Sequence, residues 1–175
     1  RCVPAIFVIT APIPNSLGWS QQQGVLVMQA LEGKTLRLAI ESGDRRLPAP
    51  QALIELLDRF PAPSAEAAPV PGAFSRAAEH ARLLATILPE ATSELAHLVE
   101  SISGAVSDEP VVAVHGDFHS SQVLVDDGQI AGLVDVDTSG KGQRTDDLAN
   151  MIGQLATLTE VSDRPEAIRA YVRLL

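Results

Sequence analysis

Aromatic residues make up only 3% of this sequence, and it holds a single cysteine, Cys2. With so few rings, the core has to be built from Leu, Val, Ile and Ala. One cysteine excludes an internal disulfide, and a reducing cytoplasm is the expected compartment. No apolar run approaches the ~18 residues that a membrane-spanning helix needs. The opening RCVPAIFVITAP has one Arg, a short apolar stretch and no small-residue cleavage site, so it does not read as a signal peptide. Because the first residue is Arg rather than Met, the chain reads as part of a longer or processed protein. Basic charge is scarce as well: 13 Lys and Arg stand against 22 Asp and Glu, for a net charge of -9. Nucleic-acid binding needs clustered cations to meet phosphates, so no such partner is expected, and no membrane either. A cationic small molecule suits this charge, although acidity of this size serves solubility first. No Gly-x-Gly-x-x-Gly occurs, and no histidine follows His119.

What is present is enough for one domain with a real core, since 46% of the 175 residues are hydrophobic. Residues 3–9 and 25–31 read as strands, paired antiparallel across a turn-rich loop at 11–24 in which Trp19 is an anchor. Residues 50–59 carry Leu53, Ile54, Leu56 and Leu57 at helical spacing behind a proline. Four prolines in 61–72 exclude a helix or a central strand there. Helical patterns follow over 73–88 and 91–104. Strands are expected at 111–114, 122–125 and 130–134, the last two joined by DDGQ, a strong hairpin signal. A helix over 146–158 comes next. A last one starts near Asp163 and Pro165 and continues to Leu175.

The chemistry concentrates in VVAVHGDFHSSQVLVDDGQIAGLVDVD, residues 111–137. Asp117 closes His-Gly-Asp, and Gln122 lies five residues on. Asp135 ends the second hairpin strand, with Asp137 two residues further and facing the same way. A hairpin returns its second strand beside its first, which brings Asp135 back to the loop of Asp117 and Gln122. Hard oxygen ligands converging there suit Mg2+, which keeps several waters and uses few protein carboxylates. A free carboxylate beside them could orient or deprotonate a hydroxyl, as in phosphoryl transfer. His80 and His97 fall within helical patterns and read as surface or cap residues, and His119 as a loop histidine. SGKG at 139–142 imitates a phosphate loop, but Asp135 stands where its first Gly should be.

With HGDFHSSQVLVDDGQIAGLVDVD and the later TDDLA, the sequence resembles the core of the aminoglycoside phosphotransferase and choline kinase family. That family shows His-Gly-Asp-x-x-x-x-Asn, a hairpin, a second acidic element and an Asp-Leu-Ala helix start. The resemblance is strong over 111–150, weaker over 25–38 and only topological over 40–105. It implies an α+β, protein-kinase-like fold: a mostly helical large lobe with hinge strands and a catalytic β-hairpin. Residues 1–38 would be the end of the small lobe and the hinge, and 39–175 the large lobe, with its C-terminal helices cut short. The implied reaction transfers the γ-phosphoryl of ATP or GTP, with Mg2+, to a hydroxyl of an aminoglycoside, amino sugar, sugar or choline-like substrate. Asp117 takes the position of the catalytic base, and Asp135 that of the principal Mg2+ ligand. Gln122 stands where the family usually has Asn, as it does in maltokinases, and Asp137 would assist at the metal. His115 would fix the loop, and Asp147 would brace it from the next helix. Met28, Gln29 and Leu31 would form the hinge against the adenine. GKGQRTDD replaces the family's usual Gly-Asp-Pro. Neither Lys34 nor Lys141 sits in a Val-Ala-Ile-Lys strand, so the chain alone is expected to be inactive.

Two other classes fit parts of the pattern. A non-catalytic relative could bind nucleotide only, but Asp117 and Asp135 are retained. GDFH also matches the start of a binuclear metallophosphoesterase, with Asp117 and His119 as ligands. That class needs later histidines, which the sequence lacks.

Overall fold

The structure, a computed structural model, describes residues 12–61, 66–103 and 109–175. The strand expected at 3–9 lies outside them. The stretch expected as a loop at 11–24 contains strand β1, Ser16–Ser20, which pairs antiparallel with β2, Val25–Met28. Leu17 and Trp19 alternate with Ser16, Gly18 and Ser20, a period-two pattern that the flanking prolines and glutamines obscured. Gly24, at φ 63°, takes the left-handed conformation that closes the tight turn. Gln29 and Leu31 therefore lie beyond the strand that was expected to hold them.

β3, Lys34–Thr35, leads directly into α1, Leu36–Ser42. Neither was expected. The Thr35 hydroxyl accepts from the Leu38 N–H at 3.2 Å, and Gly43 ends the helix in the left-handed conformation. Leu36, Ala39 and Ile40 fall on one face and are buried. The position 38/39, read above as the lobe boundary, falls within this helix. α2, Pro50–Asp58, starts on its proline and buries Leu53, Leu56 and Leu57. α3, Ala73–Ile87, and α4, Thr92–Ser103, are joined by a 3-10 turn at Pro89–Ala91 and pack on each other.

β4, Val112–Val114, is followed by the hairpin of β5, Val123–Asp126, and β6, Gln129–Leu133. Asp127 and Gly128, at φ 43° and 80°, supply the two left-handed residues of a two-residue turn. β3 adds to β5, giving an antiparallel three-stranded sheet in the order β3-β5-β6. β7, Gly140–Gly142, pairs antiparallel with β4. α5, Arg144–Val161, begins two residues before the expected start, and α6, Pro165–Val172, stops short of Leu175.

The core joins α1, α2, one face of the β5–β6 hairpin, α5 and α6. Phe118, Val123, Leu133, Met151, Leu155 and Ile168 are fully buried in it. Aliphatic side chains dominate, as the shortage of aromatics requires. Among the described residues, no helix is long and apolar enough to cross a membrane.

Candidate active site

The loop after β4 is held by its backbone. Asp147, on the first turn of α5, accepts the His115 N–H on Oδ2 at 2.8 Å and the Gly116 N–H on Oδ1 at 2.9 Å. The Thr138 hydroxyl donates to the His115 carbonyl at 2.9 Å, and the Arg76 guanidinium to the Gly116 carbonyl at 2.7 Å. All four main-chain polar groups of these two residues thus meet side chains from separate parts of the chain. Gly116 is required here. Its φ is 85°, and a Cβ would run into the Thr138 carbonyl and the Val70 side chain.

Asp147 is 1% exposed, and burial pushes its carboxyl above the usual range. The two N–H donors and the nearby positive charge of Arg144 pull it the other way. The His115 ring is fully buried between Phe60 and Phe118, with centroids 6.1 and 6.0 Å away. Its Nε2 meets the Val134 carbonyl at 3.0 Å, just before Asp135. His115 and Asp147 thus tie the loop to Val134 and to α5.

This bracing presents Asp117. Its Oδ1 accepts from Nδ2 of Asn150 at 3.1 Å, and the same amide donates to the Phe118 carbonyl at 3.2 Å. The Asp117 side chain keeps 44% exposure, so its carboxylate is open to solvent. Asn150 did not emerge from the sequence. The available signal was its spacing: three residues after Asp147, it shares that residue's face of α5.

Gln122 and Asp135 come together as the hairpin argument required. Nε2 of Gln122 donates to Oδ2 of Asp135 at 2.7 Å, and the Gln122 N–H and carbonyl are tied to His119 and Val134. Asp135 has φ 61°, a left-handed conformation uncommon outside glycine, and it opens a 3-10 turn at Val136–Thr138. That turn corrects the expectation for Asp137. β6 ends at Leu133, so strand alternation is lost and Asp137 does not share a strand face with Asp135. Asp137 lines a cleft of about 360 Å³ with Val70, Arg76, Gly116 and Ser139. Among the described residues, no three of His, Cys, Asp and Glu gather around one point. Gln122 and Asp135 carry oxygens that could serve Mg2+, an ion that takes its remaining ligands from water and phosphates.

Met28, Gln29 and Leu31 were expected to form the hinge. Met28 and Gln29 are exposed, and the Gln29 N–H is engaged by the Asn15 carbonyl at 2.8 Å. The Leu31 side chain occupies the space that a Cβ on Gly132 of β6 would need.

The chain is similar in fold to an aminoglycoside-3'-phosphotransferase of type VIII, with 22% identity and a TM-score of 0.51 over 94% of this chain and 66% of that one. It is also similar to a thermostable mutant of an aminoglycoside phosphotransferase solved in ternary complex with ADP and hygromycin B. There the identity is 18% and the TM-score 0.56, over 95% of this chain and 68% of that one. The chain thus spans about two thirds of the length of each structure. No curated protein sequence matches it. The model of the phosphotransferase enzyme family matches residues 4–174. Given that match, and a kinase-like α+β fold shared with two phosphotransferase structures, the chain belongs to the phosphotransferase enzyme family.

Proposed function

We propose that the protein is a Mg2+-dependent cytoplasmic kinase that moves the γ-phosphoryl of ATP or GTP to the hydroxyl of an aminoglycoside, amino sugar, sugar or choline-like molecule. The observation that carries this reading is the Asp117 carboxylate, held by Asn150 and open to solvent, in the loop that also presents the Gln122–Asp135 pair. Asp117 orients the acceptor hydroxyl and takes its proton as the phosphoryl group leaves the nucleotide. Asp135 and Gln122 would hold Mg2+, with Asp137 assisting from the adjoining cleft; the ion supplies charge neutralisation at the phosphates. Met28, Gln29 and Leu31 form the hinge against the nucleobase, between a small lobe ending near residue 38 and the large lobe after it. The ADP and hygromycin B in the similar structure support a nucleotide and a small polyhydroxylated acceptor.

The test uses the full-length protein, because residues 1–175 contain no Gly-x-Gly-x-x-Gly and alone are expected to be inactive. Nucleotide consumption is measured with hygromycin B, glucosamine, glucose and choline. Asp117→Asn should lower kcat with the fastest acceptor by about 10² to 10⁴ and leave nucleotide affinity nearly unchanged. A variant with full kcat would remove Asp117 from the chemistry.

A further inference from the structure

His119 reads from the sequence as an ordinary loop histidine, but its surroundings define the state of its ring. The Ser121 N–H points at Nδ1 from 3.2 Å. A backbone N–H can only donate, so Nδ1 must offer a lone pair. The ring is then the neutral tautomer with its hydrogen on Nε2. Nε2 lies 3.6 Å from Oδ2 of Asp117. The other carboxylate oxygen, Oδ1, already receives Asn150. Asp117 therefore has one donor, Asn150, bonded to Oδ1 and a ring nitrogen, His119 Nε2, beside Oδ2. The His119 side chain is 17% exposed against 44% for Asp117, so the donor is enclosed while the carboxylate stays open.

We propose that His119 is a positioning residue that orients the Asp117 carboxylate through the proton on Nε2. This rests on the reading of Asp117 as the base. The present separation is longer than a hydrogen bond. Contacts around a catalytic base are often long in the free enzyme and tighten when substrates bind. Once the His119 contact closes, both oxygens would be held, which leaves a lone pair of Oδ2 for the acceptor hydroxyl and stops the carboxylate from rotating out of line.

A plain loop brace would use only Nδ1, and two substitutions separate the roles. In His119→Asn the side-chain oxygen replaces Nδ1 and nothing replaces Nε2. In His119→Gln the amide nitrogen reaches the place of Nε2 and Nδ1 is lost. Both are compared with His119→Ala and Asp117→Asn in the full-length protein, using ATP, Mg2+ and the fastest acceptor of the panel. Asn and Ala should lower kcat about tenfold or more, with KM for ATP and acceptor within about twofold, while Gln stays within about threefold of the parent. Thermal unfolding of each variant confirms that the fold is intact. The proposal is overturned if Asn retains the parent kcat, or if Gln is no better than Ala. Those outcomes leave the base reading standing as long as Asp117→Asn is inactive. An active Asp117→Asn overturns both.

Discussion

Gln122 differs by one methylene from the Asn that the family resemblance would place there, and in the proposed metal role that methylene would matter, because Mg2+ tolerates little error in distance. It takes oxygens at about 2.0–2.1 Å in a near-octahedral arrangement. The Gln122 main chain is bonded on both sides, its N–H to the His119 carbonyl and its carbonyl to the Val134 N–H. The amide in turn lies against Asp135. Gln122→Ala should raise the Mg2+ needed for half-maximal rate and lower the maximal rate. Gln122→Asn should fall between, because it keeps the oxygen and loses the reach. A Mg2+ titration of rate at saturating nucleotide checks this, and superimposable curves for the parent and the Ala variant would make Gln122 an ordinary loop residue. At this scale the sequence was most readable where one side chain carries one task. The contacts of Gln122 with Asp135, and of Asp147 with the His115–Gly116 backbone, follow the spacing read from the sequence. Asn150 was not legible, because an amide inside a helical pattern looks like any solvated position.

Among the elements, α5 governs the loop most directly. Its first turn places Asp147 under two buried main-chain N–H groups, with Asn150 one turn on beneath Asp117. In Asp147→Asn the amide oxygen can take one N–H, and the amide nitrogen, itself a donor, opposes the other. A buried donor left without an acceptor costs about 1–3 kcal/mol. Urea unfolding should show a loss of that size, and kcat should fall with it because the loop carrying Asp117 loosens. A variant with the parent's stability would mean that the clamp contributes nothing net. The hairpin and the helices were legible because Asp-Gly turns, prolines at helix starts and apolar periodicity are local signals. β7 was not. Three residues of Gly-Lys-Gly have no apolar alternation, and they form a strand because β4 lies alongside. Gly140 and Gly142 bring the backbones close: a Cβ on Gly140 would strike the Ala68 carbonyl, and one on Gly142 the Val114 side chain. α1 was hidden for a similar reason, because seven residues are too few to show a period.

The molecule as a whole is tied together where α6 meets the chain before α2. The hydroxyl of Tyr171 donates to the Pro48 carbonyl at 3.0 Å, and burial pushes its phenol up to about 12. The neutral form is the one that fits the core, so the folded state holds this proton more tightly than the unfolded chain does. The stability it adds is complete below about pH 10, the ordinary phenol value, and is lost as pH rises toward 12, a total of roughly 2–3 kcal/mol. Tyr171→Phe removes this dependence and, at neutral pH, costs about 1 kcal/mol for the lost hydrogen bond. Urea unfolding of both proteins at stepped pH checks the sign: the advantage of the parent should shrink above pH 10 and never grow. Tyr171 is the only tyrosine, so near-ultraviolet absorbance reports its ionisation directly.

The bonds that secure the His115–Gly116 segment all reach far along the chain: 32 residues to Asp147 and 40 to Arg76. None of them can form while its distant partner is still free, and each closure has its own entropic cost. The full set of bonds is complete only when α3, the turn after β6 and α5 have met, and releasing any one of these segments removes part of the support of the loop. On the proposed reading of Asp117, catalytic competence would therefore require these distant segments to be in place together.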